Sequence, residues 1–416
     1  MSEEILQICM QAKAAAHAFA LVNSDEKNAA LDRMAVELEK SNVAILESNG
    51  LDLEIGASAG LSAAMLDRLS ISEERFCAMV QGLRDLVKLE DPVGQEISRK
   101  QRPNGLDIAK VRVPIGVIGI IYESRPNVTA DAAGLCVKTS NAVILRGGKE
   151  AMHSNRAIAK ALIAGADAAG LPKDTVQLVQ TSDRAAVKQL VQMEEYIDVI
   201  IPRGGEGLIR AVSEMSRVPV LKHYKGVCHV YIDKSADAQM AESIIVNAKC
   251  QRPGVCNAAE TLLVHREVAS HMLPNIAAAL TTHGVELRGD TTARSLVEGI
   301  TAADESDWGA EYLALILAVR VVDSIEEAIR HINRYGSRHT DAIVATDAAA
   351  QEAFAAQVDS AVVAINASTR FNDGAEFGLG AEMGISTDKL HARGPVGPEE
   401  LTTYKYVLRG EGQIRS

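Results

Sequence analysis

The sequence is poor in aromatic residues, in clustered basic residues and in long apolar runs. Phe, Trp and Tyr make up 3% of the 416 residues, whereas hydrophobic residues as a whole reach 47%. A core of small and branched aliphatic side chains is typical of helix-covered α/β proteins. The net charge of −12 argues against a nucleic-acid surface, because phosphate contacts need clustered Lys and Arg. No apolar run approaches the roughly 18 residues of a spanning helix, so we expect neither a nucleic acid nor a membrane as partner.

The cysteines lack the spacing of a disulfide framework or of a zinc site. Six are scattered along the chain, and Cys250 and Cys256 are separated by five residues, which matches neither CxxC nor the usual pairs of zinc ligands. The N-terminal stretch carries Glu3 and Glu4 and no basic segment, which is atypical of a signal peptide. We therefore expect a reducing, cytoplasmic compartment and no bound metal.

The first part of the chain has a helical pattern that gives way to a polar hairpin. Apolar residues three and four apart, such as Leu31, Met34 and Leu38, predict helices over the first ninety residues. In 96–114, two polar runs flank Asn104-Gly105, a dipeptide that favours a hairpin turn. A hairpin this polar has little to bury within one subunit, so it either lies across a second copy or remains a solvated ribbon.

From residue 117 onward, short β-rich runs alternate with helical ones. The first series is 117–121, 142–146, 176–179, 199–202 and 218–221, and the second is 230–232, 261–264, 315–322, 342–345 and 361–365. Such alternation predicts doubly wound parallel sheets with helices on both faces. We expect two α/β units that join near residue 222, followed by loops and a final extended segment.

Two glycine-rich turns follow predicted strands and open predicted helices. In "PRGGEGLIRAV" (202–212), backbone N–H groups at Gly204 and Gly205 would face a phosphate, although a tight strand-to-helix turn needs glycine in any case. In "AVILRGGKEA" (142–151), Arg146 and Lys149 lie where a parallel strand ends. That placement suits an anionic ligand, and a solvated turn with surface charges is the alternative.

Two residues in loops have both a structural and a chemical interpretation. Asn127 begins a predicted helix, where Asn is commonly an N-cap, and its amide would alternatively donate to an oxyanion. Cys256 follows the break Gln251–Gly254 instead of lying in a periodic apolar run. Beside Arg252 and free backbone N–H groups, a thiolate would be favoured there. A buried thiol, a partner of Cys250 and a nucleophile all remain open for Cys256.

Five stretches resemble the aldehyde dehydrogenase superfamily, and within it the enzymes that reduce an acyl phosphate. They are "VPIGVIGIIYESRPNVTADAAGL", "NAVILRGGKEA", "IIPRGGEGLI", "AKCQRPGVCNAAETLLVH" and "NASTRFNDGAEFGLGAEMGISTDKLHARGPVG", in the order of the family. The resemblance implies a cofactor-binding domain (1–95 and 115–222), a catalytic domain (223–379) and a small β oligomerisation element (96–114 and 380–416). It also implies a homodimer or a higher homo-oligomer.

The resemblance also implies roles for single residues. Cys256 corresponds to the nucleophile that forms an enzyme-bound thioester, and Asn127 resembles the oxyanion-hole amide that acts with the backbone N–H of Cys256. Arg146 and Lys149 fall at the adenosine ribose of the cofactor, and Glu311 at the nicotinamide ribose. The other implied contacts are Gly204 and Gly205 at the phosphate-side helix start, and Ser368, Thr369 and Arg370 at the amino-acid end of the substrate.

The chain departs from the hydrolytic members of the superfamily at one place. Those members carry a glutamate base in an "ELGGK"-like stretch, and the corresponding residues here are "KHYKG", with His223 or a neighbour in place of the acid. Loss of the base suits an enzyme that must keep water from its thioester, although a histidine can itself serve as a base. Arg252 and nearby N–H groups are then candidates to hold phosphate.

The implied reaction is the NADPH-dependent reduction of γ-glutamyl 5-phosphate to glutamate 5-semialdehyde and phosphate, in proline biosynthesis. A glutamate 5-kinase would be the partner that supplies the labile acyl phosphate. Two cations, Arg146 and Lys149, lie where a 2′-phosphate would be, which favours NADP(H) over NAD(H). The alternatives are a hydrolytic NAD(P)-dependent semialdehyde dehydrogenase of the same fold and a nucleotide-binding regulatory module without turnover.

Overall fold

The protein forms two compact units, each built on a parallel sheet of its own. The structure is a computed structural model that describes residues 3–415. The first unit extends to Lys222 and includes Gly378–Gly384 and the residues from Val396 onward. The second unit consists of His223–Phe377 and Ile385–Pro395. The prediction of α/β architecture with parallel sheets is confirmed, whereas residues 385–395, assigned above to the oligomerisation element, belong to the second unit.

The first unit begins with the helices that the apolar spacing predicts. Leu31, Met34 and Leu38 are fully buried along one face of the second helix. Asn23 and Glu26 form a reciprocal capping box at the start of that helix, which satisfies two backbone N–H groups that have no partner within the helix. The helices are α1 (Glu3–Phe19), α2 (Ser24–Lys40), α3 (Asn42–Ser58), α4 (Ala63–Leu69) and α5 (Glu73–Lys88).

The predicted hairpin follows these helices. It consists of β1 (Glu96–Gln101) and β2 (Asp107–Pro114), which pair in antiparallel register. Gly105 has a φ of +85° in the turn, a conformation that glycine adopts without a steric penalty. Every residue of β1 is exposed, as its polar sequence predicts.

A four-stranded parallel sheet is the centre of the first unit. Its strands are β3 (Val117–Tyr122), β4 (Ala142–Gly147), β5 (Val176–Leu178) and β6 (Val199–Arg203), in the order β5-β4-β3-β6. The chain builds outward from β3 to β5 and then crosses to the other side of β3 for β6, so the strand order reverses between β3 and β6. The connecting and following helices are α6 (Val128–Lys138), α7 (Met152–Ala168), α8 (Arg184–Leu190) and α9 (Glu206–Met215).

The prediction of a strand at 218–221 is wrong. The segment makes only an isolated bridge, in which Ile200 pairs with Val220 beside β6. Pro219 has no N–H, so a ladder could not continue through it.

The second unit contains a seven-stranded parallel sheet in the order β10-β9-β11-β8-β7-β12-β13. Its strands are β7 (Cys228–Ile232), β8 (Ala259–His265), β9 (Glu286–Gly289), β10 (Thr301–Ala302), β11 (Ile316–Val322), β12 (Thr340–Val344) and β13 (Val362–Ile365). Its helices are α10 (Ala238–Cys250), α11 (Arg266–Thr282), α12 (Thr291–Leu296), α13 (Ile325–Tyr335) and α14 (Ala348–Gln357). The sequence missed β9 and β10, because β9 alternates charged and apolar residues and β10 has two residues.

Short strands and one long strand complete the chain. In the second unit, β14 (Ile385–Ser386) pairs with β15 (Gly394–Pro395). In the first unit, β16 (Thr402–Arg409) pairs with β2, which gives a three-stranded sheet in the order β1-β2-β16. Within residues 3–415, no helix has both the length and the apolar character needed to cross a bilayer.

Candidate active site

Cys256 lies in the turn between α10 and β8, and a buried ion pair joins the two ends of that turn. Lys249 in the last turn of α10 places its Nζ 2.6 Å from Oε2 of Glu260, the second residue of β8, and both side chains are fully buried. The other carboxylate oxygen of Glu260 accepts the N–H of Leu313 at 3.1 Å. Burial raises the pKa of the Glu260 carboxyl and lowers that of the Lys249 amine, and each partner's charge opposes the effect of burial on the other.

The loop that precedes β7 touches the Cys256 turn at a glycine. A Cβ built on Gly226 would lie 1.8 Å from the backbone oxygen of Cys256, so a side chain there is sterically impossible without moving one backbone. The N–H of Gly226 donates to Oε1 of Glu311 at 2.7 Å. The absence of a side chain at Gly226 therefore brings the end of the "KHYKG" stretch against Cys256 and fixes the carboxylate of Glu311.

Two histidines lie beside the Cys256 thiol. The potential ligand atoms of His223, Cys256 and His339 all lie within 4.8 Å of one another. The two imidazole rings meet edge to face, with 5.4 Å between their centroids. His223 donates from Nδ1 to the backbone oxygen of Ile385 at 2.8 Å. Because a carbonyl oxygen only accepts, this bond assigns the proton of a neutral His223 to Nδ1 and leaves a lone pair on Nε2.

The thiol of a second cysteine donates a hydrogen bond to the backbone of the Cys256 turn. Cys228, fully buried at the start of β7, donates its S–H to the backbone oxygen of Cys256 at 3.2 Å. Burial raises the pKa of the Cys228 thiol well above its usual value, so this thiol remains protonated. Its function in the fold is that of a hydrogen-bond donor, which leaves Cys256 as the thiol available for chemistry in this cluster.

The other cysteines are poor candidates for a nucleophile. Burial raises the pKa of the thiols of Cys9, Cys136 and Cys250, which disfavours the reactive thiolate. Cys77 is exposed on α5, away from any loop. All six cysteines are free, so the alternative of a disulfide between Cys250 and Cys256 is wrong.

The segment that contains Ser368, Thr369 and Arg370 packs beside the same turn. The Ser368 hydroxyl accepts the N–H of Arg370 at 3.2 Å and so starts a short 3₁₀ turn. Thr369 is fully buried, and its hydroxyl has no hydrogen-bond partner among the described residues. Asn257 donates its amide to the backbone oxygen of Asn372 at 2.9 Å. This bond joins the Cys256 turn to the segment.

Two arginines belong to the Cys256 turn and to the segment bonded to it. The Nε of Arg370 donates to Oε1 of Gln251 at 2.7 Å. Burial lowers the pKa of Arg370, Asp373 raises it, the positive charge of Arg252 lowers it, and Cys256 raises it. Arg252 itself is exposed. Two like charges that interact beside a thiol suit a dianion such as phosphate, which would relieve their repulsion.

In the first unit, the predicted cofactor residues lie where parallel strands end. Gly204 and Gly205 are exposed at the start of α9, and the Gly205 N–H donates to Oε2 of Glu123 at 3.1 Å. This helix start therefore already binds a negative group. Ligands of open α/β sheets bind at the carboxyl ends of the strands where the strand order reverses, which here is between β3 and β6.

The two predicted cations differ in their environment. Lys149 is exposed after β4. Arg146 is only 8% exposed and donates to the backbone oxygen of Ser182 at 2.8 Å, while burial lowers the pKa of its guanidinium. Arg146 thus holds the loop between β5 and α8, and Lys149 is the one whose charge reaches the surface.

Asn127 occupies the N-cap position of α6 but does not cap the helix with its side chain. Instead, its amide donates to Oδ2 of Asp131, one turn further on, at 2.9 Å. Burial raises the pKa of Asp131 to about 6. The side chain of Asn127 is exposed and oriented by Asp131, so the structural interpretation as an ordinary N-cap is wrong.

The sequence did not indicate His339, Cys228 or the Lys249–Glu260 pair. His339 precedes a buried strand, Cys228 lies within one, and neither belongs to a spaced motif. In the sequence, Glu260 lies within an apolar run that predicts a buried strand. A charged residue in such a strand is the one sequence feature that could have indicated a buried ion pair. The rings of His223 and His339, which lie beside Cys256, come from distant positions in the chain.

Comparison with known proteins identifies the protein family of this chain. The model of the aldehyde dehydrogenase family matches residues 1–299, and the chain belongs to that family. Over 415 residues it is 55% identical to a gamma-glutamyl phosphate reductase from Geotalea daltonii, with 100% of this chain and 99% of the relative covered. Over 405 residues it is 56% identical to one from Moorella thermoacetica, with 97% of each covered.

Solved structures agree with this assignment. The crystal structure of a gamma-glutamyl phosphate reductase from Thermotoga maritima matches with a TM-score of 0.97 at 43% identity, over 100% of both chains. An acetylating aldehyde dehydrogenase from Geobacillus thermoglucosidasius shares the fold, with a TM-score of 0.74 at 19% identity and coverage of 100% of this chain and 98% of the other. Family membership implies a nicotinamide cofactor, and the reversal of strand order with its anion-binding helix start fits one.

The ion pair beneath Cys256 generates a test by double-mutant cycle. Glu260→Gln should lower the free energy of unfolding by about 3–5 kcal/mol, because it leaves the ammonium group of Lys249 buried without a counter-charge. Adding Lys249→Met should restore much of that loss. The measurement is urea unfolding of the unmodified protein, of Glu260→Gln, of Lys249→Met and of the double variant. As a control, Asp323→Ala removes an exposed partner of Arg266 and should cost less than about 1 kcal/mol. A double variant as unstable as Glu260→Gln would contradict this account.

Proposed function

We propose that this chain reduces γ-glutamyl 5-phosphate to glutamate 5-semialdehyde and phosphate with NADPH, in proline biosynthesis. The observation that carries the proposal is the Cys256 turn, in which a half-buried cysteine lies beside two imidazole rings. Arg252 belongs to the same turn, and Arg370 donates to Gln251 at its start. Relatives that are 55% and 56% identical over almost their whole length bear the name gamma-glutamyl phosphate reductase. The substrate is a small molecule, and the reaction class is oxidoreduction.

The first half of the reaction forms a thioester. The thiolate of Cys256 attacks the acyl carbon, and the bond from that carbon to the phosphate oxygen breaks, so that phosphate leaves with the electron pair. Arg252 and Arg370 hold the phosphate and stabilise its charge as it departs. The cluster of His223 and His339 beside the thiol offers imidazole nitrogens to take the thiol proton.

The second half releases the aldehyde. When bound, the nicotinamide cofactor supplies the hydride that reduces the thioester carbon. Asn127, oriented by Asp131, and the backbone N–H of Cys256 are the proposed donors to the tetrahedral oxyanions. One such donor is typically worth about 3 kcal/mol. Collapse of the hemithioacetal then returns the thiolate of Cys256.

The stretch "KHYKG" replaces the glutamate base of the hydrolytic enzymes, which bears on whether water can attack the thioester. His223 has its Nδ1 committed to the Ile385 oxygen, and Gly226 packs its backbone on Cys256. This stretch offers no carboxylate to activate water. We therefore expect the thioester to persist until hydride or phosphate reaches it, provided that Nε2 of His223 takes the thiol proton and does not activate water, whereas a hydrolytic dehydrogenase would release the acid.

The supply of substrate and the compartment follow from the same chemistry. A γ-glutamyl phosphate is a labile acyl phosphate, so we propose that a glutamate 5-kinase delivers it. Six free cysteines suit the reducing cytoplasm, which we propose as the compartment.

The role of Cys256 has a direct test. Cys256→Ala should lower turnover by about 10⁴-fold or more, because the covalent route is lost. The matched control is Cys250→Ala, six residues earlier at the end of α10, which should retain activity. Turnover is followed by NADPH absorbance, and cofactor binding by fluorescence titration of each variant. Substantial activity in Cys256→Ala would remove the proposed nucleophile.

The experiment that tests the function is oxidation of glutamate 5-semialdehyde with and without phosphate. In phosphate-free buffer, NADPH formation should stop after about one turnover, because no other nucleophile releases the thioester. Added phosphate should restore multiple turnovers and saturate the rate, and γ-glutamyl phosphate should be the first product. Full-rate oxidation before phosphate is added would instead place the chain among the hydrolytic dehydrogenases.

The preference for NADP(H) rests on Lys149. Its exposed ammonium group lies at the carboxyl end of β4, while Arg146 supports the neighbouring loop, and a charge-assisted bond to a 2′-phosphate is worth roughly 1.5–3 kcal/mol. Lys149→Glu should reduce the ratio of NADP⁺ to NAD⁺ efficiency by about tenfold or more. Lys160→Glu, on the exposed face of α7, is the control and should leave the ratio unchanged. An unchanged ratio in Lys149→Glu would refute this role.

We also propose that residues 1–95 and 115–222 form the cofactor-binding domain and that residues 223–379 form the catalytic domain. The β1-β2-β16 sheet would then join two copies of the chain. Tyr404, Tyr406 and Leu408 alternate along β16 and so share one face, and the last two are each 59% exposed. A partner copy would cover this apolar face. Leu408→Asp with Tyr406→Asp should give monomers in light scattering, whereas Leu21→Asp, at another exposed leucine, should not. A monomeric unmodified protein at micromolar concentration would contradict the proposal.

A further inference from the structure

We infer that Cys256, His223 and His339 form a binding site for a divalent transition-metal ion, Zn²⁺ above all, which reversibly blocks the cysteine. The spacing of the cysteines along the sequence predicts no metal site, but the ligands here come from three separate loops and strands. One thiolate and two imidazoles are the donor set that Zn²⁺ prefers. With three protein ligands, the fourth position is left to water or to an anion.

The distances fit a tetrahedral ion after a small movement. The three ligand atoms lie within 4.8 Å of one another, and ligands of a tetrahedral zinc ion are about 3.5 Å apart. Two imidazoles bound to one zinc ion through Nε2 hold their ring centroids about 5 Å apart, and the rings of His223 and His339 stand at 5.4 Å with an interplanar angle of 67°. The spacing of the rings is compatible with a common ion, and side-chain movements of about 1 Å would bring the three ligand atoms to the zinc spacing.

The hydrogen bonds around the rings orient them as ligands. Metal-binding histidines usually donate the N–H of the other ring nitrogen to a fixed acceptor. His223 Nδ1 does so to the Ile385 oxygen at 2.8 Å. His339 Nδ1 lies 2.8 Å from the Thr340 hydroxyl and 3.7 Å from the sulfur of Cys228. The Thr340 hydroxyl and the Cys228 sulfur, whose own proton goes to the Cys256 oxygen, can both accept an N–H from Nδ1 of His339.

The metal site itself does not depend on the proposed function, whereas its effect on activity does. An ion bound to the Cys256 sulfur withdraws the electron pair that attacks the substrate, so bound metal and turnover exclude each other. Arg370, whose charge interacts with Cys256, opposes a bare cation. A phosphate ion as fourth ligand would offset that repulsion.

The test is a titration of the full-length reduced protein with Co²⁺, whose spectrum reports its ligands. One equivalent of bound Co²⁺ should give the visible bands of a tetrahedral ion and a near-ultraviolet thiolate-to-cobalt charge-transfer band. Added Zn²⁺ should bleach both by displacement. Absence of these bands at millimolar Co²⁺ would overturn the inference.

Variants assign the ligands. Cys256→Ser should lose the charge-transfer band, and His339→Ala and His223→Ala should each weaken Co²⁺ binding by at least about tenfold. Cys250→Ala and His271→Ala, an exposed histidine of α11, are the controls and should match the unmodified protein. Far-ultraviolet circular dichroism and thermal unfolding confirm that each variant is folded. A charge-transfer band that survives in Cys256→Ser would place the ion elsewhere and refute the site.

An activity measurement separates the inference from the proposed function. The fraction of NADPH oxidation that Zn²⁺ inhibits should equal the fraction of the site that Zn²⁺ occupies, as measured by displacement of Co²⁺. A chelator should restore the full rate. If Co²⁺ binds through Cys256 without any loss of turnover, the site stands and the role of Cys256 as nucleophile falls. If Zn²⁺ inhibits turnover although Co²⁺ gives no thiolate-to-cobalt charge-transfer band, the inferred site falls while the nucleophile stands.

Discussion

The buried pair of Lys249 and Glu260 is the interaction on which the position of Cys256 depends. The two residues close the turn that carries the cysteine, at a distance of 2.6 Å and without exposure to solvent. Burying two charges costs several kcal/mol per ion, and their attraction offsets this only with good geometry and further hydrogen bonds. The bond from Leu313 to Glu260 supplies one of these. A pair of this kind contributes little net stability, but it fixes one arrangement of the loop.

The close approach at Gly226 gives the site its second fixed element. Its backbone packs on Cys256, and its N–H holds the carboxylate of Glu311. In the proposed reaction, Cys256 would meet an acyl carbon, a leaving phosphate and then a hydride, and a turn that keeps its conformation between steps favours such a sequence. The thiol remains half-buried and flanked by imidazoles, an arrangement that suits both the proposed catalysis and the inferred metal ion.

In the first unit, burial gives the two basic residues Arg146 and Lys149 different functions. Arg146 and Lys149 lie three residues apart and looked equivalent as cations beside a binding edge. Arg146 ends within the sheet and donates to a loop carbonyl, whereas Lys149 lies beyond the strand in solvent. A buried cation that donates to loop carbonyls positions backbone, and a solvated one can still exchange its water for a ligand. The Nε of Arg146 is buried without a hydrogen-bond partner among the described residues.

The sequence by itself determined the parallel sheets, the helices and the hairpin, and it placed Cys256 in a loop as a candidate nucleophile, because apolar periodicity, Asn-Gly turns and loop motifs are local properties. It missed β9 and β10, where short or charged strands have no apolar run, and it predicted a strand at 218–221 that Pro219 prevents. Only the tertiary structure decided that Cys228 and His339 meet Cys256 and that Asn127 turns to Asp131. The physical reason is that a hydrogen bond or an ion pair between distant residues depends on how strands and loops pack, and their separation along the chain carries no record of it.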